Sequence, residues 1–281
     1  MSRVWFITGT STGFGRELAI AALDAGNKVV ATARKPETLS DLSAKYGDNV
    51  LAVRLDVTNK ADIDAAVKAA TDTFGQIDVL VNNAGYGVFG GFEEISDKQF
   101  REQYETNVFG VIAVTQAILP QMRARKAGHV LNVSSVVGLV APPGMSAYAS
   151  SKFALEGISE AMAAELAPLG IHVIIVEPGA FKTGFGNVGV PKGDNPLPDY
   201  TATAGGTIGW LEAMVAEGSA PGDPTKAAKA MLAIVDDPNP ALRLMLGSDA
   251  LGMVQPKLDG LKANLEQYAH ISNSTNFDPA A

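Results

Sequence analysis

Short apolar runs rich in Val, Ile and Leu alternate along the chain with longer segments in which apolar residues recur at helical spacing. The short runs predict strands near residues 3–8, 27–33, 50–55, 77–82, 128–134, 171–177 and 241–246. Residues 79–81 and 173–176 are wholly apolar, as is typical of strands covered on both faces. Repeated strand–helix units predict a doubly wound α/β fold, with helices on both faces of a parallel seven-stranded sheet.

The boundaries of the predicted helices carry recognisable signals. Ser96, with Gln99 three residues later, forms a capping box. Asp223 before Pro224 predicts an N-cap followed by a proline at the first helical position. Glycines after helical segments predict left-handed turns at Gly26, Gly75 and Gly170.

The chain shows no internal repeat and no linker-like stretch, so we expect a single domain over residues 1–281. Residues 184–206 are rich in Gly, Pro, Asn and Asp, and a loop of this length in a compact domain is usually functional. We therefore assign residues 184–214 to a substrate loop. Residues 247–281 form a C-terminal extension whose weak pattern predicts no position in the fold.

Composition narrows the classes of partner. The 281 residues carry a formal net charge of -8, which argues against binding to nucleic acid or to an anionic membrane. Cysteine is absent, which excludes disulfides and cysteine-ligated zinc, and we expect no metal site. No apolar run approaches about 18 residues, and a strand beginning near Arg3 leaves no room for a signal peptide. We expect a cytoplasmic protein.

Tyr148 and Lys152 lie four residues apart in a predicted helix, and residues at that spacing share one face. A fixed ammonium stabilises a phenolate, so we expect the pKa of Tyr148 to fall from about 10 toward neutral pH. Such a tyrosine can serve as a general acid and base. Taken alone, the pair also fits a solvated helix face where the two residues meet by chance.

A glycine-rich turn follows the first predicted strand and leads into the first helix. It contains Gly9, Ser11, Thr12, Gly13, Phe14 and Gly15. Glycines there allow a tight turn and close approach to a pyrophosphate, and the helix N-terminus favours anions. Elsewhere a glycine cluster would more often be a plain loop. The Lys-Ser/Thr pair of an NTPase phosphate loop is missing, which argues against an NTPase.

The glycine spacing of this turn, together with the downstream Tyr-x-x-x-Lys pair, resembles the single-domain branch of the short-chain dehydrogenase/reductase family over about residues 3–246. Within it, the hydroxysteroid-dehydrogenase-like and carbonyl-reductase-like members are the most similar. The resemblance implies a Rossmann fold and the catalytic residues Asn107, Ser135, Tyr148 and Lys152. Alternation along the strand directs Ser134 the other way, which favours Ser135.

The same resemblance implies cofactor contacts beyond the glycine-rich turn. They are Asp56, Val57, Asn83, Ala84, Gly85, Tyr148, Lys152, Pro178, Gly179 and Thr183. In the family pattern, the carboxylate at Asp56 accepts from the adenine amino group. The segment from Pro178 to Thr183 braces the nicotinamide carboxamide.

The end of the second strand bears on the choice of cofactor. Members that use NAD place a carboxylate there for the ribose hydroxyls, but this chain has Ala33. Arg34 offers a planar fork for a 2′-phosphate, and Lys35 adds local charge. We therefore expect NADP(H) rather than NAD(H). The alternative is that Arg34 only occupies a solvated turn.

The implied chemistry is hydride transfer between NADP(H) and a ketone or secondary alcohol, in the reductive direction. Ser135 and Tyr148 would hydrogen-bond the carbonyl oxygen, and Tyr148 would donate the proton. Lys152 would hold the nicotinamide ribose, with a water held behind it by Asn107. Two alternatives remain: an NAD-dependent alcohol dehydrogenase working oxidatively, and a non-catalytic NADP-sensing regulator. Such regulators typically lack the tyrosine or the lysine.

The expected substrate contacts are mostly apolar, which favours a hydrophobic ketone or alcohol. They are Ser135, Tyr148, Val137, Pro143, Phe185 and Trp210. The apolar members of this set would equally serve to pack the loops onto the sheet. The resemblance also implies a homodimer or homotetramer paired through the helices that carry Asn107 and Tyr148. The apolar stripe over residues 154–167 fits such a contact or packing on the sheet.

Overall fold

The computed structural model describes residues 2–183 and 190–277, and its strands form one parallel sheet. The strands are β1 Val4–Ile7, β2 Lys28–Ala33, β3 Val50–Arg54, β4 Val79–Asn82, β5 Gly128–Val133, β6 Ile171–Pro178 and β7 Arg243–Leu246. Their order is β3-β2-β1-β4-β5-β6-β7, with every neighbouring pair parallel. The predicted strands and the doubly wound Rossmann fold are therefore confirmed.

Helices connect the strands and cover both faces of the sheet. They are α1 Gly13–Asp24, α2 Ser40–Tyr46, α3 Lys60–Phe74, α4 Asp97–Tyr104, α5 Gly110–Arg125, α6 Ser146–Leu166, α7 Ala204–Glu217, α8 Pro224–Asp236 and α9 Ser248–Ser274. The capping box at Ser96 and the N-cap at Asp223 are both present. The predicted left-handed turns have φ of +79°, +83° and +70° at Gly26, Gly75 and Gly170.

The apolar pattern of β1 shows how the core is divided between the two faces. Trp5 and Ile7 pack with α1, α2 and α8, whereas Val4 and Phe6 pack with α3 and α5. Successive side chains of a strand point to opposite faces, so a strand covered on both sides must be apolar at every position. Each such side chain contributes about 1.5–3 kcal/mol through burial. The sheet edge that carries the site therefore stands on a well-packed core.

Part of the segment assigned to a substrate loop is helical. Residues 184–189 lie outside the described residues, a short 3₁₀ turn spans Pro198–Tyr200, and α7 begins at Ala204. Ala204 and Ile208, four residues apart, are the buried positions of α7. This spacing is typical of one face of a helix. The many glycines and prolines of the preceding residues predicted a loop and hid this helical pattern.

The C-terminal extension forms the long helix α9, of which only the beginning is packed. Ala250 and Val254 are buried, whereas residues 255–277 are all exposed. Apolar residues nevertheless recur along it at spacings of three and four, namely Leu251, Val254, Leu258, Leu261, Leu265 and Tyr268. A stripe this narrow is typical of a helix–helix seam and not of the wider face that packs on a sheet. Because most of α9 lies outside the core, its sequence lacks the wide apolar face that would have predicted a position on the sheet.

Candidate active site

The glycine-rich turn, Asn83 and Ser135 lie along the edge of the sheet where the carboxyl ends of the strands meet. The strand order reverses between β1 and β4, because β2 and β3 extend one way and β5 to β7 the other. Ligands of open α/β sheets bind outside the strand ends at such a switch point. The fold thus brings the glycine-rich turn after β1 next to the residues that follow β4 and β5.

The glycine-rich turn needs its glycines for two reasons. Gly9 and Gly13 have φ of +71° and +61°, in the left-handed region. Gly15 is required by space, since a Cβ there would lie 2.4 Å from Gly9 O. Ser11 is partly exposed in the same turn, and the side chain of Thr12, the N-cap of α1, caps no N–H. The uncapped N–H groups and the positive end of α1 therefore suit the phosphates of a dinucleotide.

Asn83 fastens the segment after β4 to the glycine-rich turn. Its Nδ2 donates to the backbone oxygens of Thr8 and Gly9 at 2.9 and 3.0 Å. Thr8 Oγ1 in turn accepts from the N–H groups of Asn83 and Ala84, both at 2.9 Å. The two halves of the expected cofactor site therefore form one hydrogen-bonded unit.

Arg34 and Asp56 follow the ends of β2 and β3. Asp56 Oδ1 accepts from the N–H and the hydroxyl of Thr58 at 3.0 and 2.7 Å. Burial opposes ionisation of Asp56, but these bonds and the charges of Arg34 and Arg54 prevail, so its pKa lies below the usual value. Val57 is buried against the start of α5. Arg34 is exposed and forms no ion pair with any described residue, so its guanidinium is open to a ligand.

The loop after β6 is hydrogen-bonded to Ser135 and to β7. Pro178 O accepts from the Ser135 hydroxyl at 3.3 Å, and the Gly179 N–H donates to the last residue of β7 at 2.9 Å. Thr183, the last described residue before the gap, donates its N–H to Phe181 O at 2.8 Å. These bonds therefore place the start of the loop beside Ser135 and the end of β7.

Two contacts that hold this loop were missed by sequence reasoning. The Phe181 ring packs edge-on against Phe14 of the glycine-rich turn, with 5.1 Å between ring centroids. Asp249, in the first turn of α9, accepts from the Ala180 N–H at 2.6 Å through Oδ2. The available signal was the Gly-Ser-Asp sequence at the start of this helix, which is typical of a helix N-terminus.

Ser135 and Tyr148 are brought together at the centre of the site. Ser135 lies two residues beyond Val133, the end of β5, is 8 % exposed, and shares a side-chain hydrogen bond with Tyr148 in the first turn of α6. Ser134 faces elsewhere, since a Cβ on Gly138 would lie 2.7 Å from Ser134 Oγ and 2.9 Å from Glu156 Oε1. The alternation of the strand thus separates the two serines.

The expected fall in the pKa of Tyr148 is wrong for the structure described. Tyr148 as a whole is partly exposed, but burial of its phenol group raises the pKa to about 12, and the hydrogen bond with Ser135 acts in the opposite direction. Lys152 Nζ lies 5.8 Å from the ring centroid and donates to Val133 O at 2.7 Å. Burial lowers the pKa of Lys152 to about 8, against the raising effect of Glu156. Desolvation therefore dominates the pKa values of both residues.

Asn107 lies in a π-helical turn, Glu105–Phe109, that joins α4 to α5. Such irregularities are frequent at functional sites. Asn107 Oδ1 accepts from the Tyr86 N–H at 3.1 Å, and Nδ2 donates to Tyr86 O at 2.8 Å and to Ser151 Oγ at 3.1 Å. A Cβ on Gly85 would lie 3.0 Å from Asn107 Oδ1 and 3.8 Å from Lys152 Nζ. Asn107 thus ties the loop after β4 to α6 beside the lysine.

An apolar cluster surrounds Tyr148. Its buried members are Phe89, Val136, Val137, Met145, Ala149, Ile208, Ala250 and Val254. The Phe89 and Tyr148 ring centroids are 5.8 Å apart. Val137, an expected substrate contact, belongs to this cluster, whereas Ile208 and Val254 come from α7 and α9 and were not expected. The only signal for them was the helical spacing of apolar residues in those segments.

Pro143 and Trp210, two other expected substrate contacts, are not members of this cluster. Pro143 lines a separate cavity of about 370 Å³. Trp210 is 58 % exposed, because it lies on the face of α7 away from Ile208. Phe185 lies outside the described residues.

A larger cavity adjoins the apolar cluster and shares two of its residues. It has a volume of about 420 Å³ and is lined by Phe89 and Ile208, with further walls from Glu94, residues 192–201 and α7. Lys192 at this cavity is ion-paired with Glu212 at 2.8 Å. Its positive charge is therefore balanced, and the wall next to Tyr148 is apolar.

Metal-binding and membrane-spanning features are absent from the part of the chain that the structure describes. No group of three or more His, Cys, Asp or Glu side chains there is arranged to hold a metal ion. No helix there is both long and apolar enough to cross a bilayer.

Comparison with known proteins places the chain in a family. A family model described as short chain dehydrogenase matches residues 3–191. The oxidoreductase BOA17 of Botryotinia fuckeliana (strain B05.10) is 40 % identical over 275 residues, which cover 97 % of this chain and 98 % of the relative. The chain belongs to the short-chain dehydrogenase family.

Solved structures of family members have the same fold. A short-chain dehydrogenase from Streptomyces avermitilis is 42 % identical, with a TM-score of 0.90 over 99 % of this chain and 100 % of that one. A family member from Burkholderia phymatum in complex with NAD is 26 % identical, with a TM-score of 0.78 over 100 % and 98 % of the two chains. The protein is thus an oxidoreductase of alcohol- or ketone-type substrates that uses a nicotinamide cofactor.

Proposed function

We propose that the protein reduces an apolar ketone to a secondary alcohol with NADPH. The observation that carries this proposal is the meeting of Ser135, Tyr148 and Lys152 at one edge of the sheet, beside the uncapped start of α1. A proton donor, a second hydroxyl and a buried cation are the parts that carbonyl reduction needs.

The roles of the side chains follow from the charges that form during reduction. The nicotinamide, when bound, supplies the hydride to the carbonyl carbon. The hydroxyls of Ser135 and Tyr148 hydrogen-bond the carbonyl oxygen, where negative charge develops. The Tyr148 O–H bond then breaks, its proton passes to that oxygen, and the phenolate that remains is stabilised by the Lys152 ammonium.

The raised pKa of Tyr148 fits its proposed role as proton donor. With a pKa of about 12, the phenol is protonated at neutral pH and holds the proton that reduction consumes. Asn107 acts indirectly, because its bonds to Tyr86 and Ser151 position α6 and its lysine.

The proposed cofactor contacts are those of the glycine-rich turn, Asp56, Val57, residues 83–85 and the loop from Pro178 to Thr183. NADP(H) is favoured by Arg34, which is exposed directly after β2 and is the guanidinium available for a 2′-phosphate. NAD(H) with an oxidative reaction is the second candidate, since the Burkholderia phymatum relative is in complex with NAD.

The proposed substrate lies against the apolar cluster around Tyr148 and extends into the cavity of about 420 Å³. Val137 and Phe89 form the wall next to the tyrosine. A hydrophobic ketone fits this lining, because burial of apolar surface supplies the binding free energy.

We also propose a homodimer or homotetramer paired through α5 and α6. Phe109, next to the start of α5, is 52 % exposed, and Phe153 of α6 is 41 % exposed. Leu155 and Leu166 of the expected stripe are buried in the subunit, so the pairing surface is the opposite side of α6. A cytoplasmic location stays a prediction.

Consumption of NADPH with a panel of aromatic, steroidal, aliphatic and sugar ketones tests the proposed function. Turnover of any member, lowered about 10²- to 10⁴-fold by Tyr148→Phe, is the expected result. Tight binding of NADPH without turnover of any compound would favour the non-catalytic sensor. Turnover that survives Tyr148→Phe would remove the tyrosine from the role of acid.

A further inference from the structure

Four polar residues follow one another at intervals of four along α6. They are Tyr148, Lys152, Glu156 and Glu160. Residues at this spacing share one helix face, with Cβ atoms about 5–6 Å apart. Lys152 and Glu156 are 6 % and 5 % exposed. A buried carboxylate therefore stands one turn beyond the buried ammonium, on the side away from the phenol.

Arg243, the first residue of β7, holds this carboxylate in place. Its guanidinium forms ion pairs with Glu156 and Glu160 of α6 and with Glu177 of β6. Glu177 is fully buried, whereas the Glu160 side chain is 56 % exposed. One arginine charge cannot balance three carboxylates, so the cluster needs a further positive charge or a proton.

Two carboxylate oxygens of the cluster lack a hydrogen-bond donor. Glu156 Oε1 and Glu177 Oε2 are buried and have no partner among the described residues. Burial and the neighbouring Glu156 charge raise the pKa of Glu177 to about 7. Adjacent buried carboxylates relieve their repulsion when they share one proton. With that proton, two negative charges remain in the cluster, and Arg243 and Lys152 balance them.

Within the described part of the chain, the groups that face Lys152 come from α6, β5 and the π-helical turn. On α6 they are Tyr148 and Glu156, on β5 the Val133 carbonyl, and on the π-helical turn the Asn107 amide. Among these groups, Glu156 is the carboxylate. Glu156 is itself faced by Arg243 from β7, by Glu177 from β6 and by Ser134 at the end of β5.

We propose that Glu156 is a positioning residue for Lys152, and that its carboxylate, anchored by Arg243, keeps the buried lysine ammonium charged at working pH. Without this carboxylate, the enclosed lysine would release its proton to solvent. The phenolate that Tyr148 becomes during reduction would then lose its neighbouring cation. The assignment of Glu156 rests on the proposed function only in this last step.

The charge of Lys152 can be measured without any substrate. In protein labelled with ¹³C-lysine, the Lys152 side-chain signal is assigned by its loss in Lys152→Arg, and its pKa is followed by NMR. Glu156→Gln is expected to lower this pKa by about one unit or more, as for a single charge nearby at an effective dielectric constant of about 20. An unchanged pKa would overturn the proposal.

Glu160→Gln is the matched control, since Glu160 also binds Arg243 from the same helix but lies two turns from Lys152. It should leave the pKa of Lys152 in place, and a shift equal to that of Glu156→Gln would refute a specific role for Glu156. Should Glu156→Gln fail to fold, Glu177→Gln carries the test. That variant removes the second carboxylate and should lower the lysine pKa by a smaller amount, and no shift would count against the proposal.

The pH dependence of carbonyl reduction then connects the lysine charge with catalysis. Activity should fall on the alkaline side as Lys152 loses its proton, and Glu156→Gln should move this fall to lower pH. Glu156→Asp keeps the negative charge, so its fall in activity at alkaline pH should occur near the same pH as in the unaltered protein. A lowered lysine pKa without any ketone turned over would end the proposed function but not the charge effect of Glu156. If Glu156→Gln turned over ketone with its alkaline fall in activity at the same pH as in the unaltered protein, the role of Glu156 would be refuted.

Discussion

Lys152 Nζ lies 5.8 Å from the ring centroid of Tyr148, and burial moves the pKa values of the two residues in opposite directions. The pKa of the tyrosine rises to about 12, whereas that of the lysine falls to about 8. The lysine is therefore the member of the pair that titrates nearest to neutral pH. Its charge, and not the ionisation of the phenol, is what changes first when the solution becomes alkaline.

Lys152 should make the stability of the protein depend on pH in a defined direction. Its pKa is lower in the folded than in the unfolded state, so the unfolded chain binds more protons between pH 8 and about 10.5. The free energy of unfolding, relative to Lys152→Met, should rise by about 2 kcal/mol from pH 8 to about 10. Urea unfolding of both proteins across this range measures it, with Lys60→Met as the exposed control. A constant difference would contradict the lowered pKa.

Ser135 and Ser134 form a natural pair for testing the second hydroxyl. Ser135→Ala should lower kcat about 10²-fold, the usual loss when one donor to a developing oxyanion is removed. Ser134→Ala should cost far less, because that hydroxyl faces Gly138 and not Tyr148. Steady-state kinetics with the best ketone of the panel compares them. Equal losses in both variants would argue against a specific contact from Ser135.

Arg34→Ala should weaken the binding of NADPH much more than that of NADH. Hydrogen bonds to charged groups contribute about 1.5–3 kcal/mol, which corresponds to about tenfold or more in the dissociation constant. Fluorescence titration of each cofactor measures the ratio. Lys35→Ala controls for the general loss of positive charge and should have a smaller effect. An equal loss for both cofactors would show that Arg34 does not contact a 2′-phosphate.

Phe153→Asp should separate the subunits if α6 forms the pairing surface. A carboxylate placed at a close helix–helix contact is desolvated, which disfavours association. Light scattering after size-exclusion chromatography gives the mass of each variant. Leu265→Asp on α9, where the leucine is 75 % exposed, is the comparison. Dissociation by the α9 variant alone would move the interface to that helix, and a monomeric unaltered protein would exclude both surfaces.

Much of the fold and of the catalytic centre could be predicted because local pattern determines them. Apolar runs located each strand, and the alternation of β5 distinguished Ser135 from Ser134. The pKa of Tyr148 could not be predicted in the same way, since spacing shows which groups are neighbours but not how much water is excluded. Trp210 illustrates the same limit, because its aromatic character suggested a pocket wall while the helix turned it outward.

The contribution of Asp249 and Val254 depends on long-range packing. Both residues belong to a segment with a weak pattern, and only the folded chain brings the start of α9 to the loop after β6. The cluster around Arg243 is another such case, since its carboxylates come from α6 and β6. Charges that are separate in the sequence gave no indication that they share one guanidinium.

The amide of Asn83, which joins the turn after β1 to the segment after β4, has a thermodynamic consequence for the cofactor. Its two bonds to Thr8 and Gly9 are formed in the folded chain itself, so the loop entropy of this region is lost during folding. Nucleotide binding then requires little ordering of the phosphate-facing backbone. More of the contact free energy therefore contributes to affinity, because the folded chain already holds the phosphate-facing backbone in its binding conformation.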